Sequence, residues 1–88
     1  MVFLYQIIFS KKSEKQLSKL EKDIQKRIVG VLERIKIRPH SYVKNLIGKS
    51  FSRLRVGDYR IILSIDNNKL IISVIELGHR KKIYKNKL

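Results

Sequence analysis

The chain has 88 residues, with 21 Lys/Arg against 7 Asp/Glu, a formal net charge of +14 and no cysteine. That length predicts one small domain over residues 1–88 with a thin core, and the lack of thiols excludes disulfide staples and thiolate metal sites. The charge points to an anionic partner: nucleic acid, an anionic membrane or an acidic protein.

Val2 to Phe9 is a short run of apolar, β-branched and aromatic residues, the pattern of a strand buried on both faces. MVFLYQIIFS has neither the basic start nor the small-residue cleavage site of a secretory leader. No apolar run approaches the roughly 18 residues of a membrane span. A cytoplasmic protein without membrane contact is expected. Helical sequence follows, capped either by Ser10 or by a Ser13–Gln16 capping box. Leu17, Leu20, Ile24, Ile28, Val31, Leu32 and Ile35 recur at three- and four-residue spacing, an amphipathic stripe that reads as core. A break near Glu21-Lys22-Asp23, with Asp23 as a cap, makes this a helical hairpin, and Pro39 ends the helical region.

His40 to Ser52 reads as a loop. Three strands follow: Ser52 to Val56, Tyr59 to Ile65, and Leu70 to Leu77. Val56-Gly57-Asp58-Tyr59 has the form of a two-residue hairpin turn, and Asn67-Asn68 suits the second turn because asparagine tolerates left-handed backbone. The expected fold class is α+β: an N-terminal strand, a helical hairpin, then an antiparallel three-strand meander with the helices packed on one sheet face. Leu54, Val56, Tyr59, Ile61, Leu63 and Ile65 line that face. Gly78 is expected to end the last strand. The last ten residues hold five Lys/Arg and no acid, as a short terminal strand or a frayed basic tail.

The hairpin register sets Arg55 opposite Arg60, with Arg53 on the same face. Like charges directly across a strand pair destabilise a sheet. One reading is an ordinary solvated face; the other is an anion site, favoured because guanidinium grips phosphate through paired hydrogen bonds that lysine lacks. Arg80 follows the last strand, near the sheet end that carries Arg60. Tyr84 can stack on a base or share a proton with phosphate. Equally, Tyr84 can pack on the sheet while Arg80 pairs with Glu76. His79 can serve as acid or base, although a lone histidine at a strand end is more often structural. Asp58 and Asp66 fall in turns, which argues against a two-metal nuclease site. No glycine-rich phosphate loop, nucleophile elbow or zinc spacing is present, so no metal and no cofactor is expected.

LRVGDYR and GHRKKIY, together with the opening strand ending at Phe9-Ser10, the basic helical hairpin, Pro39, and Leu46 to Gly48, resemble the RelE/ParE superfamily of toxins, the RelE branch most. The similarity runs nearly end to end. It implies the toxin of a type II toxin–antitoxin system: a ribosome-dependent endoribonuclease that cuts messenger RNA in the ribosomal A site, blocked by an acidic RelB-like antitoxin. The family's sheet arginine falls on Arg60, its second arginine on Arg80 and its C-terminal tyrosine on Tyr84. These are the implied catalytic residues. Lys49, Arg53, Arg55, His79, Lys81 and Lys82 are the implied RNA contacts, with Tyr84 first and His79 second for proton transfer. Some RelE enzymes carry two lysines on the preceding strand. Phe51 and Arg53 stand there here, and arginine, always protonated, is a poor base. The implied reaction is metal-free attack of the ribose 2′-hydroxyl on the neighbouring phosphorus. The resemblance also admits a ParE-like gyrase inhibitor, or an inactive relative that binds RNA or represses its operon.

Overall fold

The computed structural model describes residues 4–46 and 50–81. Its elements are β1 (Gln6–Phe9), α1 (Lys11–Ser18), α2 (Lys22–Ile35), β2 (Val43–Asn45), β3 (Ser52–Val56), β4 (Tyr59–Asp66) and β5 (Ile71–His79). The expected α+β class holds. The strands form one five-stranded sheet in the order β1-β5-β4-β3-β2. β1 runs parallel to β5, and every other pairing is antiparallel.

Ser10 caps α1, its Oγ accepting the Ser13 N–H at 3.0 Å, which satisfies one of the orphan amides of the first turn. The Ser13–Gln16 capping box does not form, because Gln16 turns to β5 instead. α2 is capped by Glu21 without a side-chain bond. Asp23 is not the cap but lies in the first turn, where its carboxylate faces the positive end of the helix. α2 stops at Ile35, before Pro39, which opens a 3-10 turn over Pro39–Ser41.

The apolar stripe of α2 makes the core. Ile28, Leu32 and Ile35 are buried against Leu54, Ile61, Leu63, Ile72, Val74 and Leu77 of the sheet. Each side chain buried in this way stabilises the fold by about 1.5–3 kcal/mol. α1 lies along β5.

Two expectations about the strands are corrected. The first strand is not buried on both faces: β1 is an edge strand, and Ile8 is 45% exposed. The stretch from His40 to Ser52 is not all loop, since Val43–Asn45 pairs with Ser52 to Leu54 as β2. The turns differ in outcome. Val56 pairs with Tyr59 as expected, and Gly57 has φ +59° while Asp58 does not enter positive φ. A glycine at the first central position with that sign suits a type II′ hairpin turn. In the β4–β5 turn the left-handed residue is Leu70 (φ 57°), not an asparagine. Asp66 Oδ1 holds this turn by accepting the N–H groups of Asn68 and Lys69, each at 3.0 Å. Asn67 Oδ1 accepts the Tyr5 hydroxyl at 2.9 Å and lies 2.8 Å from His40 Nε2, tying β1 and the 3-10 turn to the same end of the sheet.

Candidate nucleic-acid interface

β3 and β4 alternate as the hairpin predicts. Arg55 pairs with Arg60, and Arg53 pairs with Ile62. Since successive side chains point to opposite faces, Arg53, Arg55, Arg60 and Ile62 occupy the face turned away from the core stripe. Three side chains of that face are nearly inaccessible: Arg60 is 4% exposed, Ile62 5% and Glu76 6%. Arg55 is exposed and Arg53 half-buried.

Burying a guanidinium opposite another arginine needs compensation. Arg60 turns back along the hairpin, and its Nη1 donates to the carbonyls of Gly57 and Tyr59, each at 3.2 Å. Those carbonyl dipoles offset part of the repulsion and aim the guanidinium at the Gly57-Asp58 turn. Residue 80 arrives at the same turn from β5, its backbone N–H donating to the Asp58 carbonyl at 2.9 Å. The turn therefore brings the Arg60 side chain and the Arg80 backbone together, and Arg80 itself is exposed. Glu76 is not the partner of Arg80: its Oε1 meets Lys12 Nζ at 2.7 Å. Gly78 does not end the strand, because β5 continues to His79, with Gly78 opposite Arg60.

His79 pairs with Tyr59, two residues along from the buried Leu77, and so belongs to the core-facing side rather than the arginine side. Its ring stands edge-on to Tyr59, centroids 5.7 Å apart and planes at 75°. Its Nδ1 lies 3.3 Å from the Lys81 backbone nitrogen. Lys81 is exposed. Tyr84, Lys49 and Lys82 lie outside the described residues.

A second basic feature is not legible as a site in the sequence. An open groove of about 510 Å³ runs between α2 and the β3–β4 turn, lined by Lys26, Arg27, Gly30, Val31, Arg34, Arg55, Val56 and Gly57. Among the described residues no acidic side chain lines it, and a Cβ on Gly30 would meet none of them within 4 Å. In the sequence the helical charges read only as a solvated face; the packing of α2 beside the turn joins three of them to Arg55. Among the described residues, no helix is long and apolar enough to cross a membrane.

The five-stranded sheet with its parallel N-terminal edge strand, helical hairpin and arginine-bearing hairpin is the fold of RelE-like toxin structures. Solved structures share the arrangement. The RelBE2 toxin–antitoxin complex of Mycobacterium tuberculosis superposes with a TM-score of 0.82 at 22% identity, covering 91% of this chain and 95% of that one. The archaeal RelE–RelB complex of Pyrococcus horikoshii gives 0.76 at 26% identity, covering 89% and 97%. The RelB–RelE complex of Methanococcus jannaschii gives 0.70 at 27% identity, covering 92% and 99%. No curated protein matches the chain. The family model for the ParE toxin of the type II toxin-antitoxin system parDE matches residues 7–84, and the chain belongs to that family.

Proposed function

We propose that this toxin is a ribosome-dependent endoribonuclease that cuts messenger RNA in the ribosomal A site and so stops translation. The observation that carries this reading is the convergence of Arg60 and residue 80 on the Gly57-Asp58 turn, beside Arg53 and Arg55. A buried guanidinium at this turn, with the backbone of residue 80 fixed beside it, suits a reaction that accumulates charge on phosphate oxygens. In the proposed step the ribose 2′-hydroxyl attacks the adjacent phosphorus and the 5′-oxygen leaves. The products are a 2′,3′-cyclic phosphate and a 5′-hydroxyl end. Arg60 stabilises the non-bridging oxygens. Arg80 stabilises the leaving oxygen. Tyr84 orients the scissile nucleotide and is the first candidate for moving the proton, with His79 second. Arg53, Arg55, Lys49, Lys81 and Lys82 hold neighbouring phosphates, and the α2 groove extends the same positive surface.

The burial of Arg60 bears on this mechanism. At 4% exposure, its guanidinium meets a phosphate only after the groups around it shift. Positioning by the ribosome supplies the binding energy for that shift, so free RNA is cut poorly. The partner in the inactive state is an acidic antitoxin, as the likeness to RelB-bound structures supports. A surface at +14 steers such a partner electrostatically.

The test is cleavage of ribosome-bound messenger RNA by the wild type and by Arg60→Ala and Arg80→Ala, with the product ends identified. Loss of cutting in both variants, with cyclic phosphate ends in the wild type, is the expected result. Unchanged cutting in either variant overturns the assignment. A second reading, inhibition of DNA gyrase on the same scaffold, is favoured by the parDE family match. It predicts loss of supercoiling with no RNA cut.

A further inference from the structure

The β4–β5 ladder contains one irregularity, and its position matters. Tyr59 to Ile62 pair with His79 to Glu76, while Leu63 to Asp66 pair with Val74 to Ile71, so Ile75 is an extra residue on β5. Continuing the Leu63–Val74 register without it sets Glu76 opposite Ile61 and Leu77 opposite Arg60. Every side chain beyond the bulge then changes face. A carboxylate enters the core and a leucine meets the arginine, while Gly78 and the segment leading to Arg80 leave the arginine face.

On the other side of β5, the last residue that β1 pairs is Val74, opposite Phe9. The chain then leaves the sheet as α1. The backbone of the bulge is met there by three side chains at spacing three, one face of that helix. The Ser13 hydroxyl donates to the Val74 carbonyl at 3.0 Å, and the Ser10 hydroxyl donates to the Ile75 carbonyl at 2.8 Å. Gln16 Oε1 accepts the Leu77 N–H at 2.8 Å. Ser13 is completely buried, where a hydroxyl is retained at a cost unless it is bonded. At the Ile75 carbonyl and the Leu77 amide these side chains stand where a neighbouring strand would be, while the Val74 carbonyl also accepts the Ser10 main-chain N–H at 3.0 Å.

We propose that Ser10, Ser13 and Gln16 are positioning residues for the arginine site: they hold the Ile75 bulge and thereby set Gly78 and the Arg80 segment against Arg60. The catalytic consequence rests on the cleavage proposed above; the structural one does not. Gln16 is the residue to change, because it is only half-buried and caps the amide directly. Gln16→Leu keeps the size and removes the acceptor, whereas Gln16→Glu keeps an acceptor oxygen in place.

The test is Leu77 amide exchange and Arg60–Gly78 cross-strand proton proximity by NMR, measured alongside A-site cleavage. In Gln16→Leu the Leu77 amide should exchange about tenfold faster, the worth of one hydrogen bond, and the Arg60–Gly78 cross-peaks should weaken. Cleavage kcat should fall about 10- to 100-fold, with KM for programmed ribosomes unchanged, as expected of misplaced groups. Gln16→Glu should restore all three. A Leu77 amide and cross-peaks unaltered in Gln16→Leu would overturn the proposal, as would weakened cross-peaks with kcat intact. A wild type that cuts nothing would refute the cleavage reading alone. The NMR readouts would then still decide whether the clasp holds the bulge.

Discussion

Replacing Arg55 with threonine should make the protein more stable. Arg55 lies directly across the ladder from Arg60, and Arg60 is almost wholly buried. Opposed like charges cost a sheet about 0.2–1 kcal/mol. Arg55 is exposed, so its removal leaves no cavity, and threonine favours extended backbone. For a chain of this size each kcal/mol moves the midpoint by about 4–8 °C, so Arg55→Thr should raise Tm by about 1–8 °C. The gain should shrink in concentrated salt, because the screening length falls from about 10 Å at 0.1 M to about 3 Å at 1 M. It should vanish when Arg60→Met is already present, which a double-mutant cycle read by thermal denaturation would show. The same variant should bind programmed ribosomes less tightly. Its log–log salt slope should be reduced by about 0.7–0.9, since one phosphate fewer is neutralised. Destabilisation by Arg55→Thr, or a gain that persists without Arg60, would refute the argument that a charge conflict is retained here for anion binding.

Three further outcomes follow from the packing. Gly57→Ala forces a side chain into φ +59° and should cost about 1–2 kcal/mol; Asp58→Ala should stay within about 0.5 kcal/mol, because only its main-chain carbonyl serves Arg80. Urea titration of the two variants checks the pair. Lys12→Met leaves the carboxylate of Glu76 buried without its partner and should cost about 1–3 kcal/mol, less than in a fully buried pair because Lys12 is half in solvent; chemical denaturation reads it. Leu32→Ala, at a position 1% exposed beneath the sheet, should cost about 2–5 kcal/mol, with cleavage per folded molecule retained.

Local chemistry makes some of this fold readable and long-range pairing hides the rest. The β3–β4 hairpin is legible to the residue because Gly57-Asp58 fixes both turn and register, and that register aligns Arg55 with Arg60. The α2 stripe is legible from its period. β1 is not, because an apolar run says nothing about whether its partner lies on one side or both, and its parallel pairing to β5 spans most of the chain. β2 is too short to show alternation. Gly78 suggests a strand end, yet it is still paired with Arg60, and β5 runs one residue further to His79. Ser10, Ser13 and Gln16 suggest helix caps. The residue types that cap a helix are those that satisfy an irregular strand, so composition cannot separate the two uses, and only Ser10 does both. Within the candidate site, Arg53, Arg55, Arg60 and Arg80 are visible from sequence. His79 falls on the opposite face, and the lysine and arginines of α2 need the tertiary packing to become a groove.

The most direct measurement is primer extension on a defined messenger RNA in purified ribosomes with an empty A site, with gyrase supercoiling assayed on the same preparations. A ribosome-dependent endoribonuclease gives a new cut within the A-site codon, absent without ribosomes and abolished in Arg80→Ala, while supercoiling is untouched. Intact messenger RNA together with blocked supercoiling by a well-folded protein would contradict that reading and assign this arginine-bearing scaffold to gyrase.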